Sequence, residues 1–516
     1  MKKIFTKIFL SVMAVGALTS CDLNMFPHDA ISYQDGGVIF TNSADIASFQ
    51  RGLYGCYRNL LTGCPDYNYI VASEVMCDGF NAHVDYGNNY GAIHRLDTSF
   101  TPGDYYVEYC WAYHYFSIND YNIVIAGAEN LPETLSDADK AAVKILQGEA
   151  YYFRAQAYLT LARFFGKDFN PSTAGTDLCV PLILKYDPNL LPARNTVKEV
   201  YDAVEADLKA AAAALAGVEG KVAADHVTID AVNALYARYY LDVENYAKAA
   251  EYAEKVIKSA AGYKFSADGD ELYDQYINDS GSEAIMQLYA SQTETGNSKD
   301  DFASVSKTDK TEEGFCFTPY FLPTKKLVES YEEEDYRLYA WYSGGMLACK
   351  IGGRYDCYED FEVLIKNMGN SELNSAGYPN GYNAAKPFML SEMYLIDAEA
   401  NFAAGNTGAA ATALNALQTA RNATPTSASK ENIQAEWFKE TVGEGLRMSC
   451  LKRWGIGYEA RTAQDGAAAQ SAIMVSGDSY DKKSVKADDF HFQWPVPSYE
   501  MKVNDNLKQN PGYTAE

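Results

Sequence analysis

Positive charge is in short supply: Lys and Arg number 43 against 69 Asp and Glu, for a net charge of −26 over 516 residues. A surface of that sign repels phosphate backbones, which argues against nucleic acid as a partner, and it offers no basic patch to anionic lipid. Long apolar runs are also scarce. Past the start of the chain, no segment reaches the roughly 20 apolar residues that a membrane-spanning helix needs. Histidine occurs six times, as His28, His83, His94, His114, His226 and His491. His83 and His94 share a predicted loop, but without cysteine or ordered carboxylate spacing they read as an incidental pair, and no metal or other cofactor is expected. No Gly-x-Ser-x-Gly elbow, phosphate-cradling glycine loop or His-Glu-x-x-His helix occurs, which removes the recognisable routes to acyl transfer, nucleotide and zinc chemistry. None of the ten cysteines has Cys-x-x-Cys spacing. Cys56 with Cys64 and Cys349 with Cys357 are near enough in sequence for local bridges, although free thiols packed as small apolar groups are the plainer expectation.

The first residues carry an address. Lys2, Lys3 and Lys7 precede an apolar run from Ile8 to Leu18, the order of a bacterial export signal. Leu18-Thr19-Ser20-Cys21 follows and resembles a lipobox, in which Cys21 is lipidated and becomes the first mature residue. Ordinary secretion with an incidental cysteine is the alternative. Residues 1–20 are therefore expected to be a lipoprotein signal peptide and 21–43 a lipid-anchored tether. Residues 44–516 would form a single domain.

Tyrosine is abundant, at 41 residues, and Tyr67, Tyr69, Tyr86, Tyr90, Tyr105, Tyr106 and Tyr109 crowd into one short stretch. A flat apolar face with a polar tip suits sugar rings and peptides, and it suits ordinary cores equally. The stretch from Thr62 to Asp104 is rich in Gly, Asn, Asp and Pro and reads as long loops. Helical period dominates elsewhere. A helix is predicted from Ala44 to about Leu61, and in Gly148–Phe165 the set Ala150, Phe153, Ala157, Leu161 and Phe165 lines one face. Val197–Ala216 is another helix, stopped by Gly217. Ile229–Ala260 and Leu390–Arg421 share a plan of helix, break and second helix opened by small residues: Ala249, Ala250 and Ala253 in one, Ala409, Ala410 and Ala413 in the other. That is the tetratricopeptide pattern, and hairpins of this kind bury their faces by stacking. Tyr263–Pro387 is irregular and again aromatic, with short strands such as Ala284–Ala290. Two aromatic, non-helical regions on a helical scaffold predict one composite surface. Trp111 sits among helix formers and is assigned to the scaffold.

Other chemical signals are weak. The 69 acidic residues do not mark out a carboxylate pair for glycoside hydrolysis. Asp268, Asp270 and Asp274 lack a calcium loop and read as a solvated turn. Gly455-x-Gly457-x-x-Ala460 matches a dinucleotide fingerprint in letters but follows a charged helix rather than a buried strand.

Several blocks together resemble the SusD/RagB family of Bacteroidetes outer-membrane lipoproteins. Trp494-Pro495-Val496-Pro497, Glu500, Asn504 and Gln509-Asn510-Pro511-Gly512-Tyr513 are similar to its closing signature. Glu440, Glu444, Gly445, Arg447, Leu451, Arg453 and Trp454 are similar to its Glu-Gly-x-Arg block, and Ala150–Gly166, with Arg154, to its Arg-Ala helix. Val442, Met448 and Asp505 depart from the pattern.

The resemblance implies a mostly α fold, a SusD-like scaffold of stacked tetratricopeptide-type hairpins with long irregular regions and a few short strands. The scaffold would occupy about 44–61, 107–262 and 386–460, with ligand-binding regions at about 62–106 and 263–385. It implies a lipid-anchored protein at the outer-membrane surface that captures a glycan without catalysis and delivers it to a SusC-like TonB-dependent transporter. A peptide receptor of the RagB type is the alternative, and a glycoside hydrolase a more distant one. The ligand residues implied are Asp78, Tyr86, Asn88, Asn89 and Tyr90 from the first region, with Tyr289, Phe315, Tyr320 and Trp341 from the second. Arg447 or Arg453 would satisfy buried carboxylates, and Tyr513 would dock the tail.

Overall fold

Helix starts are written into the chain as capping residues. Asn42, Asp104, Ser136, Thr196, Thr228 and Asn245 each place a side-chain oxygen on backbone N–H groups that a first helical turn leaves unpaired. The computed structural model describes residues 37–64, 67–295, 302–307, 309, 315–343, 347–358, 362–374, 381–474 and 484–514. Cys21, the predicted signal segment and most of the predicted tether lie outside the described residues.

The capped helices are α1 (Ser43–Leu61), α4 (Tyr105–Ala128), α5 (Asp137–Phe165), α6 (Val197–Ala214), α7 (Ile229–Asp242) and α8 (Tyr246–Ile257), with α2 (Tyr69–Val75) and α3 (Gly91–Arg95) between the first two. The second half supplies α9 (Gly269–Ile277), α10 (Lys325–Val328), α11 (Tyr336–Trp341), α12 (Leu390–Ala403), α13 (Thr407–Ala420), α14 (Lys430–Glu440), α15 (Arg447–Trp454), α16 (Ala467–Ala472) and α17 (Ser498–Val503). Helices α4 to α8 pack pairwise in chain order. The stack then continues from α8 to α12 and α13, although more than a hundred residues intervene. The fold is thus mostly α, and both predicted hairpins are present with their breaks at Glu244-Asn245 and Gly405-Asn406. Ala249, Ala253, Ala410 and Ala413 are buried where partner helices approach. Ala409 faces solvent.

Buried arginine–carboxylate pairs cross the junctions of this stack. Arg154 on α5 grips Asp207 on α6 at 2.6 Å, Arg163 reaches Asp242 on α7 at 2.7 Å, and Arg238 on α7 reaches Glu392 on α12 at 2.6 Å. Arg453 on α15 closes on Glu399 of α12 at 2.9 Å. A denser network joins the scaffold to the irregular half: Arg337 contacts Asp335, Glu436 and Glu440, and Arg421 contacts Glu283 and Glu440, all essentially without solvent exposure. Burial pushes the Glu440 carboxyl up, but Arg421 and Arg337 outweigh it and hold it at about 2. The C-terminal signature docks as the resemblance implied. Asn510 donates to the carbonyls of Phe165 and Trp494, and Tyr513 packs edge-on to Phe490 at 5.0 Å.

The strands are short. β1 (Phe80–Ala82) pairs antiparallel with β5 (Phe321–Pro323), and β2 (Ala284–Met286) pairs with β8 (Phe388–Met389). β3 (Val305–Lys307), β4 (Phe315–Phe317), β6 (Leu347–Ile351) and β7 (Arg354–Tyr358) form a sheet in that order.

Several expectations need correction. The 62–106 region contains α2, β1 and α3 rather than only loops. Every residue of α2 is buried, so the sequence shows no amphipathic stripe there. Tyr105, Tyr106 and Tyr109 belong to α4, which starts two residues before the predicted scaffold. Asp268 is the N-cap of α9 and accepts the Glu271 N–H, so the acidic run opens a helix rather than a solvated turn. Cys56 and Cys64 are free thiols, in line with the plainer expectation. The register sets Cys357 opposite Ala348, not opposite Cys349. Gly455 is the left-handed residue ending α15, with φ +60, which accounts for the first glycine of the dinucleotide-like letters.

Candidate functional site

The β1–β5 ribbon is what brings the two aromatic regions together. Asn81 opposes Leu322 and Ala82 opposes Phe321, and the His83 N–H extends the pairing by donating to the Tyr320 carbonyl at 2.9 Å. From this ribbon the chain runs into a tight loop in which Asn88 and Tyr90 adopt left-handed backbone, with φ of +62 and +56. Such conformations persist where surrounding bonds over-determine them. Here the Tyr86 hydroxyl donates to Asn88 Oδ1 at 3.0 Å, Arg95 Nη1 donates to both groups, and Asn89 Nδ2 donates to the Tyr86 carbonyl at 2.7 Å.

Aromatic rings pack around the loop. Tyr86 and Tyr90 meet Phe321 edge-on at 6.1 and 6.0 Å, and Tyr90 stacks on Tyr106 at 4.4 Å. Tyr106 in turn touches Tyr67 at 5.6 Å. The histidines of the floor are neutral, and its charge is the buried guanidinium of Arg461. Burial first, then the positive charge of Arg461, pushes His94 well below its ordinary value, so its imidazole is uncharged beneath Phe321. His83 is likewise lowered by burial, to about 4, and among the described residues no group of three potential metal ligands gathers there.

Four of the predicted ligand residues therefore form one unit: Tyr86, Asn88, Asn89 and Tyr90. Asn88 is exposed, Asn89 half-buried, and the two tyrosines present little more than an edge. Tyr320 joins them through the ribbon and is half-buried. Tyr289 is 62% exposed on the loop after β2, with no described contact to this unit. Phe315 lies on β4 opposite Lys307, and its side chain falls outside the described residues.

Asp78 and Trp341 are placed differently. Asp78 sits just ahead of β1, buried, with Arg447 Nε at 2.8 Å and Lys326 Nζ at 2.7 Å. Burial alone would raise its carboxyl; the Arg447 guanidinium and then the Lys326 ammonium outweigh burial and hold it far below the usual carboxylate range. Both of its oxygens are occupied by protein cations. Trp341 is fully buried, edge-on to Tyr276 at 5.1 Å and with Lys366 Nζ over its ring at 3.8 Å. It presents no face to solvent because α11 turns it into the core.

Sequence reasoning missed Phe321, and it noted Tyr67 and Tyr106 only as part of a crowded stretch. Phe321 acts through a strand pair separated by some 240 residues, which no local pattern announces.

A stacked helical-hairpin scaffold with an aromatic loop face defines the class to which this chain compares. A profile described as "Starch-binding associating with outer membrane" matches residues 44–241, and the SusD family profile matches residues 359–513, together more than half of the chain. The chain belongs to the SusD/RagB family. It is 22% identical to the starch-binding protein SusD of Bacteroides thetaiotaomicron over 99% of both chains. Among solved structures, a SusD superfamily protein from the same species superposes with a TM-score of 0.72 at 22% identity, covering 90% of this chain and 99% of that one. Surface glycan-binding protein A from Bacteroides fluxus superposes with a TM-score of 0.68 at 19% identity, covering 92% and 100%.

Proposed function

We propose that this chain is a cell-surface lipoprotein that captures an oligosaccharide or polysaccharide and delivers it, uncleaved, to a SusC-like TonB-dependent transporter in the outer membrane. The observation that carries this reading is the loop 86–90. Two asparagines and two tyrosines are held there on an aromatic ribbon, Asn88 and Tyr90 in left-handed backbone, and the cation that touches the loop, Arg95, is itself paired with Asp97 at 2.6 Å. Amide groups suit sugar hydroxyls, and ring faces suit the C–H faces of pyranoses. Starch-binding and glycan-binding relatives support the ligand class.

In this reading Asn88 and Asn89 bond hydroxyls, Tyr86 and Tyr90 set the loop's shape, and Tyr289, Tyr320 and Phe315 supply further contacts. Asp78 and Trp341 act by holding the fold. Cys21 carries the lipid, and residues 21–43 tether the domain 44–516 beside the transporter, raising the effective ligand concentration at its mouth. The formal charge of −26 keeps the membrane attachment to the acyl chains alone.

Calorimetric titration of the purified full-length chain with glycans tests this. Asn88→Ala with Asn89→Ala is expected to weaken binding about tenfold or more, consistent with the loss of hydrogen bonds worth about 1 kcal/mol each. The glycan should be recovered intact after long incubation. Released fragments would instead establish a hydrolase.

A further inference from the structure

Helix α4 spends its two faces unequally. Val107, Cys110, Trp111, His114, Ile118 and Tyr121 are buried in the core. The opposite face would ordinarily be charged. Instead it carries Tyr105, Tyr109 and Tyr113, each four residues apart and hence on one side of the helix, with Phe116 continuing the row. Between Tyr105 and Phe116 the sequence holds a single charged side chain, Glu108, which turns aside to accept the Ser498 hydroxyl at 3.5 Å.

The rings form a continuous path. Tyr67 stacks on Tyr105 at 4.9 Å and meets Tyr109 edge-on at 4.7 Å; Tyr109 to Tyr113 is 5.7 Å, and Tyr113 to Phe116 is 6.2 Å. The two ends stay open to solvent, with Tyr105 57% and Phe116 64% exposed. Tyr106 connects this path to Tyr90 of the loop. Among the described residues the hydroxyls of Tyr105 and Tyr109 have no hydrogen-bond partner. At 1.5 Å of rise per residue the row extends about 16 Å along the helix, longer than a single sugar ring.

We infer that the outer face of α4 is a carbohydrate track continuous with the loop 86–90, so that the ligand is an extended neutral chain of several consecutive sugars lying along the helix. The inference rests on the glycan-binding reading and adds the length and direction of the ligand. An uncharged aromatic row on a strongly acidic protein favours a neutral polyhydroxylated chain over a cationic or anionic one. The hydroxyls of Tyr105 and Tyr109 and the ring faces of the row match such a chain's alternating polar and apolar surfaces.

Calorimetry on the full-length chain separates the two claims. The probes are soluble starch with maltose and maltoheptaose, and laminarin with laminaribiose and laminariheptaose. For whichever series binds, affinity should rise from disaccharide to heptasaccharide to polymer. In Tyr105→Ala/Tyr109→Ala/Tyr113→Ala the polymer should lose at least about tenfold more affinity than the disaccharide. The single Tyr105→Ala variant, at the most exposed of the three tyrosines, should show the same preference in smaller measure if the triple variant does not fold. Polymer binding that matches wild type, or equal loss for disaccharide and polymer, overturns the track and leaves the loop reading standing. Failure of the wild-type chain to bind these series and every other member of a broad polysaccharide panel overturns the reading itself and the track with it.

Discussion

A buried carboxylate held between two cations is costly to orphan, and Asp78 is such a group. Removing it leaves Arg447 without its partner in a region closed by Phe438 and Trp454. Asp78→Ala is therefore expected to lose about 3–5 kcal/mol of stability in denaturant unfolding. Trp341→Ala should cost a similar 3–5 kcal/mol by leaving a large cavity. A ligand-contact role at either position would instead predict lost affinity with unchanged stability. Glu74 titrates in the opposite sense to Asp78. Burial pushes it from 4.5 to about 7, although it accepts the Gly445 N–H at 2.7 Å. Between those two pH values the folded chain keeps a proton that the unfolded chain releases, so this residue makes stability fall as pH rises from about 4.5 to 7. Glu74→Gln should flatten that part of the pH–stability profile, seen as a smaller change in unfolding midpoint between pH 5 and 7. A slope unchanged by the substitution would assign it to other carboxylates. Neither Asp78's pairing nor Glu74's burial was legible from one sequence, because each depends on Arg447 and Gly445 arriving from some 370 residues away.

Helices with an apolar stripe or a run of small residues were readable, and the short α2, buried on every side, was not. The capping box of α6, in which Thr196 and Glu199 satisfy each other's backbone N–H groups, is local and explicit. Thr196→Ala should cost about 1 kcal/mol in thermal or denaturant unfolding. The α7–α8 and α12–α13 hairpins were legible through their small residues. Their adjacency across the intervening irregular half was not, since α8 meets α12 only in three dimensions. The candidate site splits in the same way. The loop 86–90 was found from its composition, whereas the β1–β5 ribbon that seats it consists of two three-residue strands without periodicity. The row Tyr105, Tyr109, Tyr113 has a readable four-residue spacing, but the scaffold is expected only from about residue 107, a boundary that cuts the row after its first member.

At the scale of the whole molecule, a helical stack supports an irregular aromatic half, and buried ion networks clamp one to the other. One hydrophobic core runs through both, from Ile39 to Leu507. A binding face carried on such a frame should be largely pre-formed, which favours capture without rearrangement. Cys21→Ala is expected to leave the membrane fraction while still folding and binding glycan in solution. The most direct measurement of the central claim is affinity electrophoresis of the full-length chain through gels containing a broad polysaccharide panel that includes soluble starch and laminarin. Retarded migration in at least one polysaccharide, weakened by Asn88→Ala with Asn89→Ala in a chain that still unfolds cooperatively, is the result predicted. Unretarded migration throughout the panel, with binding of mixed peptides instead, would contradict it.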